Sequence, residues 1–342
     1  MAVIAPYASV HQTPQGPGDA RPTALQIVKD QGLIAKLGDK VILITGCTSG
    51  IGVETARALH ATGAKIFITA RNVKKGQDVA KDISTSNSGQ AVEVIKMELD
   101  SFKSVRAAVA DFLSKTKKLQ ILINNAGVMA CPEGRTQDGF ETQWGTNVLG
   151  HFLLFQLLKD TLLASSSPHF ASRVVSVSSS GHRMSGIHFD NYNLDKDPSD
   201  TYDPWKAYGQ SKTGNIYLAN EIDRRYGARG LHGLSVHPGV IMTELARHIE
   251  NDDMGTEMLS DPVFKSLLKR PEQGAATSVW AAIAKEWEGK GGRYLNEVQE
   301  ADPFTPGGKV FSPGYAEHAY DVQAAERMWK DCLKMVDVAD DQ

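Results

Sequence analysis

Cysteine is scarce in this chain. Of its 342 residues three are cysteine, Cys47, Cys131 and Cys332, far apart and in no repeated spacing. That excludes a disulfide framework and a cysteine-based zinc site, and it fits a reducing compartment. His, Asp and Glu do not cluster at ligand spacing either, so no metal is expected. Excess charge is also lacking: 37 Lys and Arg against 40 Asp and Glu leave a formal net charge of -3. Nucleic acid is therefore not an expected partner, and no basic run marks a membrane surface. Long apolar runs are missing. Phe152-Leu-Leu-Phe-Gln-Leu-Leu158 falls well short of the roughly 20 residues that a membrane span needs, and reads as a core helix. Residues 1–10 lack the basic and then apolar pattern of a signal peptide. The expectation is a soluble cytoplasmic protein whose partner is a small molecule.

What the sequence does carry is a strand, a glycine turn and a helix in immediate succession. Val41-Ile-Leu-Ile44 is apolar throughout and reads as a strand buried on both faces. Gly46, Thr48, Ser49, Gly50, Ile51 and Gly52 make the turn, and Val53 to His60 continue as a helix. Glycines there let backbone N–H groups approach a pyrophosphate, and the helix N-terminus faces the anion. The first glycine gap is wider than in G-x-G-x-x-G, and a glycine turn alone is often only a turn. Its place between buried strand and helix is what favours a nucleotide site.

The same alternation continues. Strands are expected at Lys65–Ala70, Val92–Met97, Leu119–Asn124, Arg173–Ser178 and Leu231–His237, with helices between them, the longest around Phe140–Leu163 and Ala207–Tyr226. This predicts a doubly wound, Rossmann-like α/β domain with a parallel sheet of about seven strands. Residues 38–301 would form that domain, preceded by a flexible arm and short helix over 1–37 and followed by a helical extension over 302–342 packed on it. Ala5 to Pro22, rich in Pro, Gly, Gln and Ala, read as the loose part of the arm.

Ligands of such sheets sit outside the carboxyl ends of the strands. After the second strand comes Arg71, where NAD sites favour a carboxylate; an arginine suits a 2′-phosphate, and Lys74 and Lys75 add charge. A solvated helix start is the plainer alternative. After the third strand, Glu98 or Asp100 could accept from an adenine amino group while Leu99 covers the ring, although Asp100 or Ser101 could equally cap the next helix. After the fourth, Asn125, Ala126 and Gly127 let backbone approach a ligand.

Thr45-Gly46-x-x-x-Gly50-Ile51-Gly52 together with Asn124-Asn125-Ala126-Gly127 resembles the short-chain dehydrogenases/reductases. Val128-Met-Ala-Cys-Pro132, Asn147-Val-Leu-Gly-His-Phe-Leu-Leu154 and Gly314-Tyr-Ala-Glu-His-Ala-Tyr320 are similar to the branch that holds retinol dehydrogenases and the WW-domain oxidoreductase. The likeness runs over roughly residues 38 to 336.

Carbonyl reduction needs a proton donor, a device that tunes its pKa and a polarising hydrogen bond. A tyrosine with a lysine four residues on shares one helix face with it, and the ammonium should draw the phenol pKa down. Three such pairs occur: Tyr192/Lys196, Tyr202/Lys206 and Tyr208/Lys212. The first lies in a turn-rich loop, and the second encloses Pro204, costly inside a helix. Both read as loop surface. Only Tyr208/Lys212 opens a sustained helical pattern, and Ala207-Tyr-Gly-Gln-Ser-Lys212 matches the family's Tyr-x-x-x-Lys motif. The resemblance makes Tyr208 the acid/base and gives Lys212 a bond to the nicotinamide ribose.

Ser178, Ser179 and Ser180 all qualify chemically as the polarising hydroxyl; the family register selects Ser179, with Ser178 second. Asn147 matches the family asparagine that holds a water between Lys212 and solvent. His237-Pro-Gly-Val-Ile-Met-Thr243 resembles the loop at the nicotinamide, with Pro238 and Gly239 shaping it and Val240 and Thr243 in contact. His237, His151 and His182 read as structural. The usual Asp-Leu of the adenine side is Glu98-Leu99 here, and the membrane helix that anchors many relatives is not found.

Two variable segments, Arg183 to Lys206 and Glu244 to Arg270, carry Met184, Ile187, Phe189, Tyr192, Tyr202, Trp205, Met254, Met258, Leu259, Phe264 and Leu267. They are expected to wall an apolar substrate pocket. The resulting expectation is an NADP(H)-dependent reductase of a bulky ketone or aldehyde, such as a metabolite of a biosynthetic pathway. A steroid or retinoid dehydrogenase and a non-catalytic NADP(H)-binding sensor or scaffold are the alternatives. The chain should be a monomer, or a homodimer through the two long helices.

Overall fold

Every side chain of Val41–Ile44 (β1) is buried, with Val41 and Leu43 in one core cluster and Ile42 and Ile44 in the other. A strand covered on both faces is the centre of a doubly wound sheet. The computed structural model describes residues 4–86, 90–195, 202–248, 259–305, 307 and 312–340. β1 is followed by β2 (Lys65–Ala70), β3 (Glu93–Lys96), β4 (Ile121–Asn124), β5 (Ser172–Val177), β6 (Leu231–His237), β7 (Arg293–Asn296) and the two-residue β8 (Gln299–Glu300). The strand order is β3-β2-β1-β4-β5-β6-β7-β8. All neighbours are parallel except β7 and β8. The order reverses between β1 and β4, which places a crevice at the carboxyl ends of those strands.

The helices Phe102–Lys115, Thr142–Ser165, Pro204–Tyr226 and Val322–Met335 contribute to the core on one face. Ala24–Asp30, Gly50–His60 and Ala276–Ile283 contribute to the other. Thr142–Ser165 is long and apolar enough to cross a membrane, yet Phe152, Phe155 and Leu158 are fully buried within this core.

Several local expectations need correction. Pro204 does not break its helix: it occupies the first turn, where its missing N–H costs nothing, and Asp203 caps the end by accepting from Trp205 N and Lys206 N. Tyr192 is a core residue, not loop surface. Its ring lies 5.0 Å from that of Trp144, and its hydroxyl donates to Asp331 at 2.8 Å. Lys196, its paired lysine, lies outside the described residues. The Tyr202 hydroxyl donates to Glu141 at 2.8 Å, and Glu141 caps the Thr142–Trp144 turn. Ala5 to Pro22, read as loose, includes the short helix Ala8–His11 and the buried Arg21. Composition hid that packing because it rests on polar side chains, Arg21 and Gln273 among them, and not on an apolar pattern.

Trp329, on the last helix, stacks edge-on to Phe152 at 5.0 Å and Phe155 at 5.9 Å, under the Arg225 guanidinium at 4.7 Å. The outer side of the two long helices is thus covered by the chain's own C-terminal segment. Truncating this buried indole should cost about 3–5 kcal/mol. Trp329→Ala is expected to lower the unfolding free energy by that amount in a urea titration; a change below about 1 kcal/mol would refute the packing role.

Candidate active site

At the end of β1 the chain must leave the sheet without blocking the crevice. Gly46 and Gly50 have φ of 72° and 64°, and a Cβ on Gly46 would stand 2.7 Å from the Ala126 backbone. Gly52 presses on the Gly46 carbonyl and the Asn125 side chain, where a Cβ would stand at 2.4 and 2.5 Å. The turn therefore packs directly on the loop after β4. Ser49 is the N-cap of the Gly50–His60 helix but makes no side-chain cap bond, so the first-turn amides are not tied up by it.

The two loops are joined by one hydroxyl. Thr45 Oγ1 accepts from Asn125 N at 3.0 Å and Ala126 N at 2.9 Å. With both lone pairs used, its proton goes to His151 Nε2 at 2.9 Å, leaving His151 Nδ1–H to donate to the Asn147 carbonyl at 3.0 Å. Burial lowers the His151 pKa to about 4, consistent with a neutral ring. Asn147 lies in the π-helical turn Gly145–Leu149. It accepts from Val128 N at 2.8 Å and donates to Val128 O and to Ser211 Oγ, each at 2.9 Å.

Opposite stand the serines and the tyrosine. Ser178 Oγ donates to the Lys212 carbonyl at 2.7 Å and is buried. Ser179 Oγ accepts from Gly181 N at 3.0 Å and is hydrogen-bonded to the Tyr208 phenol. A Cβ on Gly181 would stand 2.8 Å from the Tyr208 ring, so glycine is what lets the ring lie against this turn. Lys212 Nζ donates to the Val177 carbonyl at 3.0 Å and sits 5.5 Å from the Tyr208 ring centre. Burial pushes the phenol up to about 12 and the ammonium down to about 8, while the Ser179 bond acts on the phenol in the opposite sense. The expected lowering of the Tyr208 pKa is not found. Desolvation of a phenolate outweighs the stabilising groups around it.

The nearby histidines are neutral fasteners. His237 Nδ1 accepts from Ser180 N at 3.3 Å, and burial lowers its pKa to about 3. His182 Nε2 accepts from Ala316 N at 3.0 Å, so its Nδ1–H donates to the Ser179 carbonyl at 2.6 Å. Through it the C-terminal segment grips the serine turn.

Both loops, Ser178, Ser179, Tyr208, Lys212 and His237 line one cavity of about 620 Å³, whose wall also includes Arg71 and Phe304, while Thr45, Asn147, His151 and His182 support it from behind. Its wall includes Gly46, Thr48, Ser49, Gly50, Ile51 and Gly52, then Leu99, Asn125, Ala126 and Gly127, and finally Ser179, Tyr208, Lys212, Pro238, Gly239, Val240 and Thr243.

Residues 40–196 match the short chain dehydrogenase family. Over 334 residues the chain is 48% identical to the short-chain dehydrogenase/reductase prx1 of Penicillium roqueforti, covering 98% of this chain and 96% of that protein. The chain belongs to the short-chain dehydrogenase/reductase family. Human retinol dehydrogenase 11 is 41% identical over 266 residues, covering 78% of this chain and 80% of that protein. Among solved structures, the Pseudomonas aeruginosa RhlG/NADP active-site complex is similar at a TM-score of 0.60 and 25% identity, covering 77% of this chain and 96% of that one. The expected likeness to the retinol dehydrogenase branch is thereby met, and with it oxidoreductase chemistry on a nicotinamide cofactor.

Not every expected residue of this dehydrogenase/reductase reaches the cavity. Met97, Leu99 and Asp100 line it, whereas Glu98 does not; its carboxylate lies 3.9 Å from Lys96. Extended chain alternates its side chains, so the residue between Met97 and Leu99 faces away. Asn147 lies behind Gly127 and Val128, with its amide committed to Val128 and Ser211. Of the expected apolar wall, Met184, Trp205, Leu259 and Phe264 are in place. Ile187, Phe189 and Tyr192 pack into the core instead, and Met254 and Met258 lie outside the described residues. Phe304 was not anticipated. It joins the wall under the Arg183 guanidinium, 4.3 Å away, and its only sequence signal is the nearby Gly314–Tyr320 motif.

The geometry separates the two serines. Ser178→Ala should cost about 1 kcal/mol of stability through the lost bond to Lys212 O, and Ser179→Ala a similar amount through the lost cap on Gly181 N. Thermal unfolding of the two variants checks this, and an unchanged stability in either would refute the bond assigned to it.

Proposed function

We propose that this protein is an NADP(H)-dependent oxidoreductase that interconverts a carbonyl and an alcohol on a bulky, mostly apolar small molecule, with Tyr208 as acid/base. The observation that carries the reading is the meeting of the Tyr208 phenol and Ser179 in the same cavity as the glycine turn after β1. The residues fit a dinucleotide. Gly46 and Gly50 turn at positive φ, and the amides of a helix N-terminus without a side-chain cap from Ser49 stand at the cavity wall. This turn would hold the diphosphate. Leu99 and Asp100 would take the adenine, Asn125 to Gly127 the inner ribose side, and Pro238, Gly239, Val240 and Thr243 the nicotinamide.

Arg71 stands exposed on the cavity rim directly after β2, with Lys74 and Lys75 next in the chain. A guanidinium there supports a 2′-phosphate and hence NADP(H), as does the similarity to a structure solved with NADP. Met184, Trp205, Leu259, Phe264 and Phe304 support a bulky apolar substrate. The identity to retinol dehydrogenase 11 favours a retinoid or steroid alcohol as second reading.

When bound, the nicotinamide supplies or accepts a hydride. The chain's own part is proton transfer. A phenol pushed up to about 12 is protonated at neutral pH, the state that carbonyl reduction consumes. Tyr208 gives that proton to the carbonyl oxygen while Ser179 donates a hydrogen bond to the same oxygen. The Lys212 ammonium, held by Val177 O, stabilises the phenolate that remains. Asn147 fixes the Val128 backbone at the floor of the site, and alcohol oxidation runs the same steps in reverse.

Purified protein should consume NADPH with members of a panel of bulky ketones and aldehydes. Tyr208→Phe should retain NADPH binding and lose turnover by a factor of about 10² to 10⁴; full turnover in this variant would overturn the assignment. Arg71→Asp should weaken NADPH relative to NADH by about tenfold or more, as expected for a lost charge-assisted contact. An unchanged ratio would remove Arg71 from cofactor selection.

A further inference from the structure

The N-terminal segment ahead of the first strand carries one of the most heavily bonded side chains described. Arg21 is 3% exposed. Its Nε pairs with Asp19 at 2.8 Å, Nη1 donates to Leu267 O at 2.9 Å, and Nη2 donates to Leu268 O at 2.6 Å and Gly16 O at 3.2 Å. Gln273, also buried, closes the same knot. Its Nε2 donates to Arg21 O at 3.0 Å and Asp19 Oδ1 at 3.1 Å, and its Oε1 accepts from Gly18 N at 2.8 Å.

The segment that Arg21 grips leads straight to the cavity. Leu268 pairs with Val240 as a parallel bridge, and Lys269 N donates to Val240 O at 2.9 Å. The buried Lys269 side chain underlies Gly239, where a Cβ would stand 2.8 Å from Nζ, and Nζ lies 3.5 Å from Pro238 O. Gly274 abuts Ile241 and Ile51 in the same way, at 2.6 and 2.8 Å from a built Cβ. Pro238, Gly239, Val240 and Ile241 form the wall beside Tyr208. Apart from the Gly274–Ile51 contact, none of these contacts involves the glycine turn that would hold the diphosphate.

We infer that Arg21, with Asp19 and Gln273, is a latch that positions the loop after β6, so that the N-terminal segment sets affinity for the nicotinamide half of the cofactor. The inference rests on the nicotinamide-cofactor reading above. Arg21 is a positioning residue: it acts through Leu267 and Leu268 on Val240 and Gly239, and touches no reacting group. Loops of this kind bind well when preorganised, and a buried guanidinium with four acceptors removes their freedom in advance.

The test compares two ligands that span different parts of the cavity. NADPH reaches the loop after β6, whereas adenosine 2′,5′-bisphosphate occupies only the adenine side. Arg21→Lys, Asp19→Asn and Gln273→Ala should each raise the NADPH dissociation constant by about tenfold, read by nicotinamide fluorescence. The same variants should hold adenosine 2′,5′-bisphosphate within about twofold, read by calorimetry. Asp19→Asn and Gln273→Ala keep the guanidinium in place, so they report even where Arg21→Lys folds poorly. NADPH affinity unchanged in all three variants, or both ligands weakened alike, would overturn the latch. Wild-type protein that binds neither ligand would instead overturn the cofactor reading.

Discussion

The Thr45 hydroxyl is the point on which the site depends. It is buried at the end of β1, takes two amide protons from the loop after β4 and gives its own to His151. A hydroxyl has two lone pairs and one proton, so all its capacity is committed. That saturation fixes three things together: the spacing of the two cavity loops, the tautomer of His151, and the Asn147 carbonyl to which His151 donates. Asn147 in turn sets Val128 and Ser211, next to Lys212 in the chain. A fully satisfied network in a dry interior is rigid because any displacement leaves a polar atom without a partner. The glycines matter for the same reason: Gly46 and Gly52 are close-approach positions that let the loops come near enough for these bonds to form.

Electrostatically the site is defined by burial more than by charge. Tyr208 and Lys212 are drawn in opposite directions by the same cause, the loss of water around the ionised form. The phenol is held protonated and the ammonium weakened, so two groups that ordinarily titrate close together are driven apart, and each is biased toward its neutral form. Three neutral histidines border this region, and each is used as a directional connector. His182 in particular places a ring nitrogen on the Ser179 carbonyl and the other on Ala316, coupling the serine turn to a segment more than a hundred residues away.

The doubly wound sheet was legible because its signals are local and redundant. Val41–Ile44 is apolar at every position, and the glycine turn and helix follow at once. Tyr208 and Lys212 were legible because only their pair opens a long helix. Other features are invisible to local reading. Pro204 looked like a breaker, but a proline at a helix start is judged by the cap before it, here Asp203. Tyr192 and Tyr202 looked like surface because their partners, Asp331 and Glu141, are 139 and 61 residues away. Glu98 was placed by motif correspondence, and the alternation of extended chain turned it outward. The buried Arg21 sits in a stretch whose composition resembles a linker; no window of sequence shows that its acceptors are carbonyls near residue 267.

This division has a physical logic. The segment that matches the family, residues 40–196, supplies the glycine turn, the loop after β4 and Ser179, all at the ends of sheet strands and tied by the buried Thr45 and His182 side chains. Tyr208, Lys212 and much of the pocket wall come from beyond it. Phe264 and Phe304 close the substrate side, and the run from Ser266 to Gln273 backs the loop after β6. Such segments have only isolated backbone bridges and are held by side chains as well: Arg183 bonding Ser312 O at 2.8 Å and covering Phe304, His182 bonding Ala316, Arg21 bonding Leu268. A cation or a neutral imidazole that ties down several carbonyls or amides is an economical fastener, because one buried side chain orders a whole irregular stretch. The sheet and its long helices thus place Tyr208, Lys212 and Ser179, while a few buried side chains hold the irregular segments that complete the pocket.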